Sequence, residues 1–151
     1  MKRTIAILLS AAILPACLPG PESASGFRLP DGDADRGLQA FTDLQCHACH
    51  SVERLDLQRT GTGAADVKLG GTTTRVKTYG ELVTSIINPS HKLAPGYRPE
   101  EVLTEGGESL MTLARLNDVM TVQQLIDLVA FLQARYEVVP PETYPYRYVY
   151  P

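Results

Sequence analysis

Apolar residues recur at helical spacing in three segments of the chain. In the first segment, one face carries residues at intervals of three: Leu38, Phe41 and Leu44. Asp33 or Asp35 can serve as the N-cap, because a short carboxylate side chain accepts hydrogen bonds from the free amides of the first turn. The pattern predicts an amphipathic helix that begins after one of these residues and runs into Cys46.

The second segment begins with a capping box formed by Thr78 and Glu81, three residues apart. Its apolar positions define one helical face: Leu82, Val83, Ile86 and Ile87. A proline cannot continue a helix, and the residue before it avoids helical geometry. We therefore expect a short helix that ends at Asn88-Pro89.

The third segment has the strongest helical pattern. Thr121 and Gln124 form another capping box, and the apolar positions that follow are Val122, Leu125, Ile126, Val129 and Leu132. The helix is expected to continue to about Tyr136, because Pro140 and Pro141 stop it.

The connection between the first two helices, residues 51–77, has weak periodicity and many Gly and Thr residues. It is expected to be long and mostly irregular. No convincing pair of alternating strands is present in the sequence, so the predicted fold class is all-α with long loops. Such loops would be suspect in a domain without a cofactor to pack on.

The N-terminal segment has the pattern of a secretory signal. Lys2 and Arg3 precede an apolar run of about 10 residues, which is shorter than the roughly 20 that a membrane-spanning helix needs. The sequence Leu14-Pro15-Ala16-Cys17 resembles the lipobox of bacterial lipoproteins, in which the cysteine is acylated. The alternative is an ordinary signal that contains a cysteine. Leu18 follows Cys17, which by the same resemblance implies an outer-membrane anchor with the domain in the periplasm.

These boundaries divide the chain into four parts. Residues 1–16 are predicted to be the signal peptide and residues 17–32, rich in Pro, Gly and Ser, a flexible linker without packed structure. Residues 33–137 form the domain, and residues 138–151 a tail rich in Pro and Tyr.

Length and charge narrow the function classes. A chain of 151 residues has room for one globular domain. Removal of residues 1–16 takes away Lys2 and Arg3 but no acidic residue, so the formal charge changes from −3 to −5. A mildly acidic surface argues against a nucleic-acid partner, because binding phosphates requires clustered Lys and Arg.

The sequence Cys46-His47-Ala48-Cys49-His50 has the CxxCH pattern by which c-type haem is attached. Two thiols three positions apart can reach the two vinyl groups of one porphyrin, and His50 can bind the iron from the proximal side. His47 occupies the variable position and is expected to face solvent. Because Cys17 is assigned to lipidation, all three cysteines of the chain are used.

Two other kinds of site compete for this motif. A redox pair of the thioredoxin type needs a βαβ context, which the sequence lacks. A zinc site could use Cys46, Cys49 and a histidine, but no second CxxC exists and His91 is the one histidine outside the motif.

Over roughly residues 33–136 the chain resembles class I c-type cytochromes. In that family a glycine and an aromatic residue of the first helix meet an aromatic residue of the terminal helix, and Gly37, Phe41 and Phe131 occupy these places. Residues 128–132 resemble the terminal helix, and residues 85–89 with Gly96-Tyr97 resemble the segment before the methionine loop in cytochrome domains attached to dehydrogenases. The resemblance implies a small cytochrome c-like helical domain wrapped around one haem c.

The same resemblance implies a methionine as the second axial ligand, on a loop before the terminal helix. Met120 directly precedes the cap Thr121 and suits a hydrophobic contact with Leu125. Met111 is therefore the expected ligand, and Met120, His91 or an open coordination position are the alternatives.

Two further features of the sequence concern the expected haem site. The family commonly has Pro after the ligand methionine, whereas this chain has Thr112, and a detachable methionine would open the iron to small ligands. Arg75, Tyr97 and Arg98 are candidates for bonds to the haem propionates.

The predicted function is periplasmic electron transfer between protein partners by a monohaem c-type cytochrome, with iron bound by His50 and Met111. The chain is not expected to be an enzyme on its own. The alternatives are a haem subunit of a periplasmic dehydrogenase complex, a haem-based ligand sensor, or a metal-binding lipoprotein without haem.

Overall fold

The computed structural model describes residues 27–60, 66–111 and 116–140. The predicted signal peptide, the lipidation residue Cys17 and most of the Pro/Tyr-rich tail lie outside the described residues. Within the described ranges, no helix has the length and apolar character of a membrane span.

The described chain contains five α-helices. They are α1 (Ala34–Asp43), α2 (Tyr79–Ile87), α3 (Pro99–Val102), α4 (Leu116–Val119) and α5 (Val122–Gln133). Two short 3₁₀ helices, Cys46–Ala48 and Pro89–His91, follow α1 and α2. The helices α3 and α4 have one turn each and were not expected from the sequence.

The cap residues of the three longer helices agree with the sequence patterns. Asp33 caps α1, and its carboxylate accepts the amides of Asp35 and Arg36 at 3.0 and 2.9 Å. Thr121 and Gln124 form both bonds of the expected capping box at the start of α5. The helix α1 ends at Asp43 and does not run into the cysteine motif.

The start of α2 differs in one detail. The Thr78 hydroxyl accepts the amide of Glu81 at 3.2 Å, as a cap should. The carboxylate of Glu81 instead lies 3.1 Å from Nζ of Lys92, because a cation outside the helix competes for it. The N-terminus of α2 is therefore capped through the hydroxyl alone.

The core lies where α1 and α5 cross, and α2 packs on α5. The crossing expected at Gly37 is present: a β-carbon on this residue would overlap the carbonyl oxygen of Asp127 and the Cβ of Phe131. Beside it, the rings of Phe41 and Phe131 pack with their centroids 5.5 Å apart. The buried apolar residues of the core are Ala40, Phe41, Val52, Leu82, Val83, Ile86, Leu128, Val129, Phe131 and Leu132.

The prediction of an all-α fold is wrong, because the described chain is a mixed α/β structure with two small parallel sheets. Strand β1 (His50–Val52) pairs with β2 (Val67–Leu69), with His50 opposite Val67. Strand β3 (Gly71–Thr73) pairs with β4 (Tyr136–Val138), with Gly71 opposite Tyr136. The expected cytochrome c-like domain made only of helices and loops is therefore not the architecture found.

The two sheets also correct two expectations about local structure. Residues 67–73, expected to be irregular, form two strands joined at Gly70. Gly70 and the first residue of β3, Gly71, have φ angles of 81° and 82°, which suit glycine. The terminal helix ends at Gln133 and not near Tyr136, since Tyr136 already pairs with β3.

Packed structure begins before Asp33, within the expected linker. The amide of Leu29 donates to the hydroxyl oxygen of Tyr79 at 3.1 Å, and the Leu29 side chain packs on the core. Gly32 lies against α5, where a β-carbon would overlap the carbonyl oxygen of Ile126. Residues 29–32 therefore belong to the folded body.

Candidate functional site

The cysteine motif follows α1 after a sharp change of direction. Gln45 has a left-handed backbone with φ of 56°, and the 3₁₀ turn begins at the next residue. Within this turn the amide of Cys49 donates to the carbonyl of Cys46 at 3.2 Å. Both cysteines are free and half-buried, so one compact turn carries two unpaired thiols.

The protonation state of Cys46 opposes a role as a redox nucleophile. Burial raises the pKa of this thiol to about 11, and a backbone hydrogen bond opposes the shift only in part. Reactive cysteines of the thioredoxin type need a lowered pKa, because the thiolate is the nucleophile. Cys46 is therefore a protonated thiol at neutral pH.

His50 is the first residue of β1 and its imidazole is held by the neighbouring strand. Nδ1 lies 3.1 Å from the carbonyl oxygen of Val67. Burial lowers the pKa of His50, while this carbonyl and the charge of Asp66 act in the opposite direction. A neutral ring that faces a carbonyl with Nδ1 must carry its proton there, which leaves the lone pair of Nε2 for a metal.

Two further bonds fix the main chain around His50. The amide of Val67 donates to the carbonyl of Cys49 at 3.0 Å, and the amide of Ser51 donates to Oδ1 of Asp66 at 3.0 Å. The residues on both sides of His50 are thus bonded to Asp66 and Val67. No sequence pattern indicates this part of the site, because the acceptor of the imidazole proton is a main-chain carbonyl, which every residue has.

His47, expected to face solvent, is half-buried. Its Nδ1 is shielded from solvent and makes no hydrogen bond within the described part of the chain. Buried polar side-chain atoms usually have a hydrogen-bond partner in native proteins, so this nitrogen is an exception. The atoms that cover this nitrogen belong to the chain itself.

Met111 lies on a separate segment that ends the loop after α3. Leu103 and Ser109 form an antiparallel bridge, and the amide of Met111 donates to Oγ of Ser109 at 3.2 Å. The amide of Ser109 in turn donates to Oγ of Ser90 at 3.0 Å. Through Ser109, the segment that carries the half-buried Met111 is bonded to the 3₁₀ turn Pro89–His91.

The two other candidates for the distal ligand have different surroundings. Met120 packs against the apolar core, as expected for a residue that precedes the cap of α5. His91 is exposed, and its Nδ1 lies 2.7 Å from the carbonyl of Asn88. The structure thus gives Met120 a packing role and leaves Met111 outside the core.

The residues suggested for propionate binding have protein partners. Arg98 lies 2.8 Å from Glu101 and 3.2 Å from Glu100, and Arg75 lies 3.8 Å from Glu81. The hydroxyl of Tyr97 bonds to the main chain of Asp66 and to that of Lys68 in β2.

A cleft of about 600 Å³ lies away from the motif, between residues 27–32 and α5. Its lining includes Leu29, Tyr79 and Val129. Among residues 27–60, 66–111 and 116–140, no three His, Cys, Asp or Glu side chains are grouped so as to hold a metal ion. No family model, curated protein or solved structure matches the chain.

Proposed function

We propose that the chain is a monohaem c-type cytochrome that transfers single electrons between protein partners in the periplasm. Cys46 and Cys49 would hold the porphyrin through thioether bonds, and His50 would bind the iron through Nε2. The orientation of the His50 imidazole by the Val67 carbonyl carries this proposal. The mixed α/β fold does not oppose it, because the attachment chemistry lies within residues 46–50.

The donor set fits this group. Two free thiols in one turn precede a neutral imidazole whose Nδ1 is already bonded, so Nε2 is the nitrogen left to bind iron. A hydrogen bond from Nδ1 to a carbonyl fixes the ring and raises the basicity of Nε2.

When bound, haem supplies the one-electron couple, and the protein sets its potential through the axial ligands and the apolar surroundings. We infer that Met111 is the second axial ligand, because Met120 packs against the core. A thioether is a soft ligand that favours ferrous iron.

We further propose that the domain is tethered to the outer membrane through an acylated Cys17. This rests on the lipobox-like sequence that ends at Cys17. Growth with a labelled fatty acid is expected to label the wild-type protein but not Cys17→Ser. Equal labelling of the two would show that acylation takes place elsewhere.

Covalent haem is tested by a pyridine haemochrome assay on protein matured in a host that attaches c-type haem. One haem per chain is expected, with a spectrum that changes reversibly between dithionite and ferricyanide. The double variant Cys46→Ser, Cys49→Ser should carry no covalent haem, whereas Cys17→Ser should retain it. Wild-type protein without covalent haem would overturn the proposal, and carbon monoxide binding to the reduced protein would favour the ligand sensor.

A further inference from the structure

The hydroxyl group of Tyr97 bonds to two main-chain groups that flank Val67. It donates to the carbonyl of Asp66 at 3.0 Å and accepts the amide of Lys68 at 3.0 Å. Tyr97 is 31 residues from Asp66 in sequence, so this is a long-range tertiary contact. These two bonds hold the main chain on either side of Val67, whose carbonyl oxygen accepts the hydrogen bond from Nδ1 of His50.

The contact completes a hydrogen-bond network around His50, the proposed proximal ligand. Asp66 bonds to Tyr97 through its carbonyl and to the Ser51 amide through its carboxylate. Val67 bonds to Cys49 through its amide and to His50 through its carbonyl. Residues 66, 67 and 68 therefore each form a hydrogen bond with Tyr97 or with the cysteine motif. These bonds fix the direction of the Val67 carbonyl through the residue before it and the residue after it.

We propose that Tyr97 is a positioning residue for the iron ligand: its hydroxyl fixes the Val67 carbonyl and thereby the orientation and tautomer of the His50 imidazole. The part of this inference that concerns iron rests on the proposed function. Partners of a ligating histidine orient it and tune its basicity, and a site is held best when those partners are themselves fixed. Tyr97 reaches the ligand through the main chain and is not a ligand itself.

Tyr97 lies in the chain segment that leads, through α3, to the distal candidate. It stands two residues before α3, and the segment after α3 leads to Met111. The same side chain therefore joins the segment of the proposed distal ligand to the strand that supports the proximal one.

The substitution Tyr97→Phe removes the hydroxyl and keeps the ring. The amide of Lys68 should exchange with solvent about tenfold faster, since it loses its hydrogen bond. Covalent haem should be retained in full. In the ferric protein the ring resonances of His50 should shift, and the reduction potential should rise, because a weaker Nδ1 bond makes Nε2 a poorer donor to ferric iron.

Tyr79→Phe is the matched control. The Tyr79 hydroxyl accepts the amide of Leu29 at 3.1 Å, so this variant also loses one tyrosine hydrogen bond to the main chain. It should leave the His50 resonances and the reduction potential at their wild-type values. Equal shifts in the two variants would show a general loosening of the fold and would overturn the positioning role.

Other outcomes separate this inference from the proposed function. The inference is overturned if Tyr97→Phe leaves the exchange rate of the Lys68 amide unchanged. It is also overturned if that amide exchanges faster while the His50 resonances and the reduction potential stay the same. Both results leave the haem assignment intact. If the wild-type protein carries no haem, the proposed function fails, and ¹⁵N NMR of the His50 ring decides the inference alone. The Nδ1–H tautomer is then expected in the wild type and a mixture of tautomers in Tyr97→Phe, and identical tautomers would overturn it.

Discussion

The α-carbon of Gly37 faces the main-chain carbonyl of Asp127 so closely that no β-carbon fits between the two helices. The substitution Gly37→Ala should therefore destabilise the protein by about 1–3 kcal/mol, the usual cost of overpacking a core. Urea unfolding measures this loss. Gly80→Ala in α2 is the control, because an added β-carbon there meets no atom within 4 Å and should be neutral or slightly stabilising. Equal stability of the two variants would contradict the tight crossing.

The carboxylate of Asp127 fastens α5 to the start of α1. Its side chain is 4% exposed and lies 2.9 Å from Nε of Arg36, and it accepts the amide of Asp33 at 2.8 Å. The hydrogen bond from Arg36 is the main reason why the pKa of Asp127 is lowered from 3.8 to about 2. Because the pKa is lower in the folded chain than in the unfolded chain, ionised Asp127 stabilises the fold above pH 3.8, and this contribution disappears as the pH falls toward 2.

Asp127→Asn removes that charge and should reduce the free energy of unfolding at pH 7 by about 1–3 kcal/mol. The difference from the wild type should shrink between pH 4 and pH 2, which urea unfolding at a series of pH values will show. Asp56→Asn, at an exposed loop position, should have little effect at any pH. A difference between Asp127→Asn and the wild type that does not change with pH would contradict the ion pair.

The helices could be predicted from the sequence because their signals are local. Asp33, Thr78 and Thr121 each cap the helix that follows, and each cap lies within three residues of the amides it satisfies. The strands have three residues each, which is too short to show an alternating pattern, and both pairings join distant segments. The mixed α/β fold was therefore missed although the α1–α5 crossing was anticipated.

The same distinction applies to the site. Cys46, Cys49 and His50 stand in one short motif, so the candidate site could be proposed from the sequence alone. The supporting groups come from residues 66–68 and from Tyr97, and they act mainly through main-chain atoms that carry no sequence signature. Tyr97 was suspected to bind a propionate, and its position beside Val67 depends on tertiary structure alone.

Three cationic side chains surround the carboxylate of Glu81 at the start of α2. Its Oε1 lies 3.1 Å from Lys92, 3.6 Å from Lys77 and 3.8 Å from Arg75, and the hydrogen bond from Lys92 is the main reason why its pKa is lowered. Glu81→Gln should cost about 0.5–1 kcal/mol of stability at low salt, because it leaves the cations to repel one another. At 1 M NaCl the loss should largely vanish, since screening acts over about 3 Å. A loss that does not depend on salt would mean that packing, not charge, is responsible.

Two independent measurements distinguish Met111 from Met120 as the proposed distal ligand. Ferric protein with methionine bound to iron should show a weak red absorption band, which Met111→Ala should abolish with little change in stability. Met120→Ala should keep the band and lower the free energy of unfolding by about 1–2 kcal/mol, because this side chain packs against the core. The reverse pattern would make Met120 the ligand. If the wild type lacks the band and His91→Ala alters the ferric spectrum, the exposed imidazole of His91 binds the iron instead.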